Sequence, residues 1–437
     1  MRVGIGLSLL PFLGLILNLL HIPIDWKILL ALSLFYPVFY LFKHKPKPKL
    51  DFRITKTDIS ILLMLVIFLA NLYIYTSGAF AYPYLEDDDS WSHAVSVKYV
   101  SIEKTVFAGV GNPFHYIDPY PPTYNLLLGI LHQTNDSVYF TLKFFNALIV
   151  SLSTIFFYFF VKEFAQNRNK ALFATFALMS IPAFMSHFIW AISLSVTLYF
   201  VCFYALEMIK YDNKWWIVAA LSMVTTFTSS PTHSTYFGFF LALYLITKMI
   251  LEKKILVYHT LASFLGLSLS FLFWWLPMII KYGVKGTLQG IGFDIGIIEE
   301  AGVGAAFRGT GDRIYTFSDF FYAQEQNMIN NPIGIGVVLS ILTMLAIIFF
   351  LFRIKDSLRK ENHWTFITFV WFVFTLYAVN AAKFPIKLSP FRAWMLLAIP
   401  VCILSAQGAF NLMNISKQTI GNIGKYLILF VLLIGIF

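Results

Sequence analysis

Apolar runs of about 20 residues recur from one end of this chain to the other, the length an α-helix needs to cross ~30 Å of hydrocarbon at 1.5 Å per residue. Only helices and closed barrels satisfy every backbone polar group in lipid. These runs are too long and too continuous for barrel strands, so the chain reads as an all-α polytopic membrane protein. With 59% apolar and only 12% charged residues, there is little material for a separate soluble domain, and residues 1–437 read as one transmembrane unit. Cys202 and Cys402 both fall inside apolar runs, which excludes a disulfide framework or a cysteine metal site. The stretch 3–20 has the apolarity of a signal peptide. No small-residue cleavage site follows it and a second apolar run begins at once, so it reads as a retained helix.

About thirteen spans are expected: 3–20, 26–42, 58–76, 138–161, 171–187, 189–209, 215–230, 234–251, 255–280, 334–352, 364–380, 391–410 and 421–437. The sequence ends at Phe437 without a flanking anchor, which fits a natural minimum or a truncation. Orientation follows from Lys and Arg, which collect on the cytoplasmic side. The block Lys43–Lys49 with Arg53 and Lys56 fixes one loop as cytoplasmic. Span parity then makes the loops carrying Lys162/Arg168/Lys170, Lys210/Lys214, Lys253/Lys254 and Arg353/Lys355/Arg359/Lys360 cytoplasmic as well, and each is basic. The same parity puts two long loops, 77–137 and the glycine-rich 281–333, together on the external face. Loops of that length are uncommon unless functional or disordered.

The first of these loops opens on four consecutive acids, Glu86-Asp87-Asp88-Asp89, with no basic residue between Tyr75 and Lys98. Two bland readings exist: Asp89 as the N-cap of an amphipathic helix over 90–105, with Trp91, Ala94, Val95 and Ile102 turned inward, or a solvated charge run. A cap needs one acid, and four exceed it. Asp87 and Asp89 form an Asp-x-Asp pair that converges on one hard cation only if the backbone is irregular or extended. His93, four residues after Asp89, is a candidate ligand, orienting partner or interfacial side chain. Further on, the run 115–124 interleaves aromatics with Pro, which suits either stacking on sugar rings or a Pro-terminated turn.

Taken together, these features resemble the C-type (GT-C) membrane glycosyltransferases. Asp89-Ser90-Trp91-Ser92-His93 is similar to the catalytic-Asp motif of oligosaccharyltransferase catalytic subunits. Asp118-Pro119-Tyr120-Pro121-Pro122 resembles the Pro-Pro return of that loop in oligosaccharyltransferases and protein mannosyltransferases. Residues 142–147, Ile181-Pro182-Ala183-Phe184, 316–327 and Ser389-Pro390-Phe391-Arg392-Ala393-Trp394 resemble the later spans and loops. The Trp-Trp-Asp-Tyr-Gly signature is absent, no C-terminal soluble domain is present in this sequence, and 185–196 lacks the second acidic motif. The resemblance implies an inverting sugar transfer from a polyprenyl-phosphate-linked donor, with membrane lipid around it and a glycan, lipid or protein as acceptor. No nucleic-acid partner is expected. The implied catalytic residues are Asp89 and Asp87. A divalent cation, Mg or Mn, would be held by Asp87, Asp89 and Glu86. Arg392, Arg313 and His93 would meet the donor, with Arg308, Lys383 and Lys387 as further cations and loop 281–333 closing over the acceptor. The bland reading of Arg392 is snorkelling at a span end. The expected location is the plasma membrane, with the site facing outward.

Three rivals remain at this stage. A transporter or flippase would place charges at mid-membrane. Here Lys143 and Glu207 lie near span ends, and 229–234 is a candidate interruption of a helix pair. A polysaccharide polymerase or ligase and a non-catalytic assembly subunit share the membrane setting.

Overall fold

A computed structural model of the chain describes residues 1–45, 55–109, 111, 116–291, 314–322, 324–325, 332–384 and 388–436. Its helices are α1 (Arg2–Leu19), α2 (Trp26–His44), α3 (Lys56–Ala81), α4 (Asp88–Glu103), α5 (Thr123–His132), α6 (Val138–Phe164), α7 (Arg168–Ser180) and α8 (Ile192–Met208). They continue as α9 (Trp215–Phe227), α10 (Pro231–Glu252), α11 (Val257–Gly290), α12 (Val337–Phe352), α13 (His363–Val379), α14 (Pro390–Ile420) and α15 (Asn422–Ile436). The only described strands are two-residue pieces, Gln324–Glu325 paired with Pro332–Ile333. The architecture is all-α.

Eight of these helices have the length and apolar character to cross a membrane, and α8, α9, α12 and α15 are shorter apolar helices. Each expected span contains a helix, and thirteen full-length crossings are not confirmed because several of the helices are short. At 215–230 α9 has 13 residues, and at 171–187 α7 also has 13 and ends at Ser180. Thirteen residues reach ~20 Å, short of the ~30 Å hydrocarbon layer. Pro182 explains the stop: it lacks an N–H, and its ring disfavours helical geometry in the residue before it. Residues 181–191 then run without a helix through the protein interior, with Phe188 fully buried and Ile189 1% exposed. Irregular backbone at such depth needs partners inside the protein, and it has them. Tyr75 donates to Met185 O at 2.6 Å, Asn146 Nδ2 to Phe188 O at 2.8 Å, and the Ala183 N–H to Gly334 O at 3.1 Å.

The core of the bundle is α6 and α8 packed on each other, with α9 and α3 alongside; α14 lies against α12 and α13. α14 is the most enclosed of the spans, whereas α2 and α3 are mostly exposed and carry outward Leu30, Phe35, Phe39 and Leu62. Such apolar exposure is what a hydrocarbon solvent requires. Helix association inside lipid relies on close packing and interhelical hydrogen bonds, provided here by Ser8–Ser222 at 3.0 Å, Thr343–Ser405 at 2.9 Å and Trp371 Nε1 to Phe240 O at 3.0 Å.

Side-chain contacts tie the basic loops together at one end. Arg168 reaches Thr57, Lys210 reaches Glu163 O, and Lys170 lies over the Trp364 ring. The other end gathers 181–191, 228–230 and the described parts of 82–137, 291–336 and 380–389. Lys281 pairs with Asp118, Lys383 Nζ reaches Tyr315 O at 2.8 Å, and Thr123 Oγ1 reaches Thr228 O at 2.8 Å. The alternation of basic loops thus corresponds to a real segregation of the two ends.

Candidate active site

The acid run sits at the start of α4, at the end opposite the basic loops. Asp87 is the N-cap: its backbone is extended (φ −160°, ψ 169°) and its carboxylate accepts from the Asp89 N–H at 2.7 Å. The cap is therefore Asp87 and not Asp89, because the helix begins one residue after it. The extended cap also answers the geometric question about an Asp-x-Asp pair. Asp87, Asp88 and Asp89 each bring a carboxylate oxygen within 4.8 Å of the others, although two of them are already helical. Burial first, then the Asp88 carboxyl and the charges of Asp89 and Asp88, push the Asp87 pKa up to about 6. Uncompensated negative charge on an all-oxygen donor set fits a hard divalent cation of the Mg or Mn type.

Glu86 belongs elsewhere. Its side chain is 3% exposed and its Oε1 lies 2.8 Å from Nε2 of His187. His187 comes from the irregular segment 181–191, where the resemblance leads one to expect an acidic motif. The acid run is thus fastened to that segment by its first residue, while the following three stay together at the helix start. A second contact, Ser90 Oγ to Ile189 O at 3.4 Å, joins the same two pieces.

Asp89 Oδ1 accepts a hydrogen bond from the Tyr116 hydroxyl. Tyr116 stacks on His93 with ring centroids 4.5 Å apart, and Tyr120 and Tyr124 pack on the same imidazole at 6.2 and 4.9 Å. His93 is 1% exposed and its Nδ1 lies 2.7 Å from Asn125 Oδ1. Asn125 Nδ2 in turn donates to Tyr116 O at 2.9 Å, so the amide oxygen faces the ring and Nδ1 carries the proton. Burial lowers the His93 pKa to about 4, against the raising effects of Asn125 and Asp89. The imidazole is therefore held neutral against Asn125, and it lies outside the group of three carboxylates.

Arg392 is the third residue of α14, half-buried, with Nη1 donating to Thr232 Oγ1 at 2.8 Å. Burial raises the Tyr116 pKa most. Tyr120 and Asp89 add to the rise, and the Arg392 charge opposes it. Tyr120 is likewise raised by burial and then felt by both Arg392 and Asp89. One tyrosine pair thus lies within electrostatic reach of the acid and the guanidinium together. Lys383 is at the same end but is turned to Tyr315 O and Asn380 Oδ1. Arg308, Arg313, Lys387 and His115 lie outside the described residues, as does most of loop 281–333.

Sequence reasoning missed Tyr116, Asn125 and His187. Tyr116 stands inside the aromatic-Pro run that was read as stacking edge or turn, and a fixed donor to Asp89 is a third outcome. Asn125 and His187 carry no local signal, since each gains its meaning from a partner far along the chain. The inward face of α4 was also misassigned. Ser90, His93, Ser96, Val97 and Val100 are buried along with Ala94, whereas Trp91, Val95 and Ile102 are exposed. The helix turns its mixed polar face to the protein because α5 offers hydrogen bonds and close contact there. A Cβ on Gly129 would come within 2.6 Å of Val100 Cγ1.

No family model and no curated protein matches the chain. Solved structures do. The oligosaccharyltransferase of Archaeoglobus fulgidus in its apo form superposes with a TM-score of 0.58 at 12% identity, covering 87% of this chain and 54% of that one. The same organism's AglB, in complex with an inhibitory peptide and a dolichol-phosphate, gives 0.56 at 12% identity, over 83% and 51%. ArnT from Cupriavidus metallidurans bound to undecaprenyl phosphate gives 0.49 at 12% identity, over 83% and 63%. The chain shares the membrane-domain fold of these two oligosaccharyltransferase structures. The chain spans about half the length of the oligosaccharyltransferases that it matches.

Proposed function

We propose that residues 1–437 act as a membrane glycosyltransferase unit that moves a sugar from a polyprenyl-phosphate-linked donor to an acceptor hydroxyl or amide, with inversion at the anomeric carbon. The observation that supports this reading is the Asp89 carboxylate held by the Tyr116 hydroxyl at the end opposite the basic loops, with the charge of Arg392 acting on Tyr116 and Tyr120, within a fold shared with oligosaccharyltransferase structures. A lipid-linked donor keeps its phosphate at the membrane surface, so the chemistry must occur at the end of the bundle and not in its middle. Asp89 takes the proton from the acceptor as its oxygen or nitrogen attacks the anomeric carbon, and the bond to the phosphate oxygen breaks on the opposite side. A single displacement of this kind inverts the centre. Arg392 offsets the charge that develops on the departing phosphate. Tyr116 holds the Asp89 carboxylate, while His93 and Asn125 hold Tyr116.

Asp87 and Asp88 with Asp89 would hold a divalent cation, which when bound would offset negative charge at the site. The excess of Lys and Arg in the opposite loops supports a site facing away from the cytoplasm. Purified protein, a short polyprenyl-phosphate-linked sugar and acceptor candidates test the reading: Asp89→Asn should abolish transfer and Asp87→Asn should reduce it. A chelator should lower turnover, with Mg or Mn restoring it. Undiminished transfer in both variants would exclude the mechanism.

A further inference from the structure

A second polar cavity lies at the other end of the molecule, among the basic loops. It encloses about 400 Å³ between α7, α12, α13 and α14, within the usual size of small-molecule sites. Its cations are Lys170, Arg353 and Arg359, and its only lining acid is Asp356. Arg359 Nη2 lies 3.3 Å from Asp356 Oδ1, so that acid is already engaged. Lys170 and Arg353 have no carboxylate partner among the described residues; Lys170 rests on the Trp364 ring, its Nζ 4.9 Å from the centroid.

The facing wall is built from one stripe of α14. Gln407, Asn411, Asn414 and Gln418 follow at spacings of four, three and four, which places four amides on one helical face. Gln407 donates to Asn411 Oδ1 at 2.9 Å, and its own buried Oε1 has no partner. A span that merely faced lipid would have no use for such a stripe. Toward the membrane interior the lining changes to Ala346, Phe350 and Leu404. Cations and amides at the mouth over an apolar wall match an amphiphile better than a free anion.

We infer that this cavity is a binding site for the phosphate of an anionic membrane lipid of the cytoplasmic leaflet, with Lys170 and Arg353 on the phosphate and the α14 amides on the polar headgroup. It is independent of the transfer chemistry, from which the bundle separates it.

The full chain, purified into zwitterionic detergent, can be titrated with phosphatidylglycerol or phosphatidylcholine and the bound lipid counted by native mass spectrometry. Phosphatidylglycerol should bind in preference. Each basic residue near a membrane surface contributes ~1 kcal/mol, so Lys170→Gln and Arg353→Gln should each weaken that binding about fivefold. Lys254→Gln, at the same end but outside the cavity, should leave it unchanged. Arg353 is exposed and forms no ion pair, so its variant tests the site without depending on the packing of Lys170. Equal binding of the two lipids, or undiminished phosphatidylglycerol binding in both cavity variants, would overturn the inference, as would an equal loss in Lys254→Gln. Inorganic phosphate forms a separate arm. If phosphate alone shifted the melting temperature through Arg353 while no lipid preference existed, the ligand would be soluble and the lipid assignment wrong.

Discussion

Asp87 caps α4 and crowds two other carboxylates at once, and the two roles pull in opposite directions. The cap favours an acceptor beside the helix N-terminus, while burial and like charge raise the pKa to about 6. A carboxyl whose folded pKa lies above its ordinary value of ~4 adds stability only below that value. That contribution is lost as the pH rises through 6. Asp87→Asn keeps an equally good cap and removes the charge. Without divalent cations it should melt above the wild type at pH 7.5, and the difference should vanish near pH 4; thermal melts at both values check this. An added divalent cation should raise the wild-type melting temperature at pH 7.5 more than that of the variant. Tyr116→Phe tests the other side of the site. A hydrogen bond to a charged group is worth ~1.5–3 kcal/mol, so loss of the donor should lower kcat about tenfold with little change in KM for the donor. Neither Tyr116 nor its anchors could be read from the sequence, because their roles are set by tertiary contacts. Asp89 and Arg392 could be singled out as candidates because each stands in a short motif beside a span end.

Among the elements, the spans were legible and the irregular segment 181–191 was not. Its composition is as apolar as that of a helix, so hydropathy alone continues the span past Pro182. What stops the helix is a single proline, and what makes the stop tolerable is a set of distant hydrogen-bond donors. The α4 face was misread for a related reason. In a protein surrounded by lipid, the most apolar face need not be the protein core, and α4 turns Trp91 and Ile102 outward. The junction between the acid run and 181–191 depends on Gly78, where a Cβ would lie 2.7 Å from His187 Nδ1. Gly78→Ala should push His187 off Glu86 and cost about 1–3 kcal/mol, the usual penalty for overpacking. Its melting temperature should fall, and Glu86→Gln in the same background should add less than it does alone, a non-additivity that a double-mutant cycle measures.

For the whole molecule, the gathering of the basic loops at one end makes the topology testable. Cys202 and Cys402 are buried, so native thiols should stay silent to polar maleimides. Lys98→Cys and Lys254→Cys, at exposed positions on opposite ends, should label from opposite sides of sealed vesicles. Labelling from the same side would break the assignment of ends. The charges that a transporter would need at mid-membrane are not found at the two candidate positions. Glu207 sits at the basic end, its oxygens 2.7 Å from Lys248 and 3.4 Å from Lys210, and Lys143 reaches Tyr82 O at the other.

The initial rate of sugar transfer by purified Asp89→Asn protein, from a polyprenyl-phosphate-linked donor at saturating acceptor, tests the central claim most directly. General-base catalysis is worth about 10²–10⁴ in rate. The site described here therefore predicts a loss of at least about a hundredfold, in protein whose donor binding and melting behaviour stay close to wild type. A wild-type rate would contradict it and move the catalytic base away from the acid run.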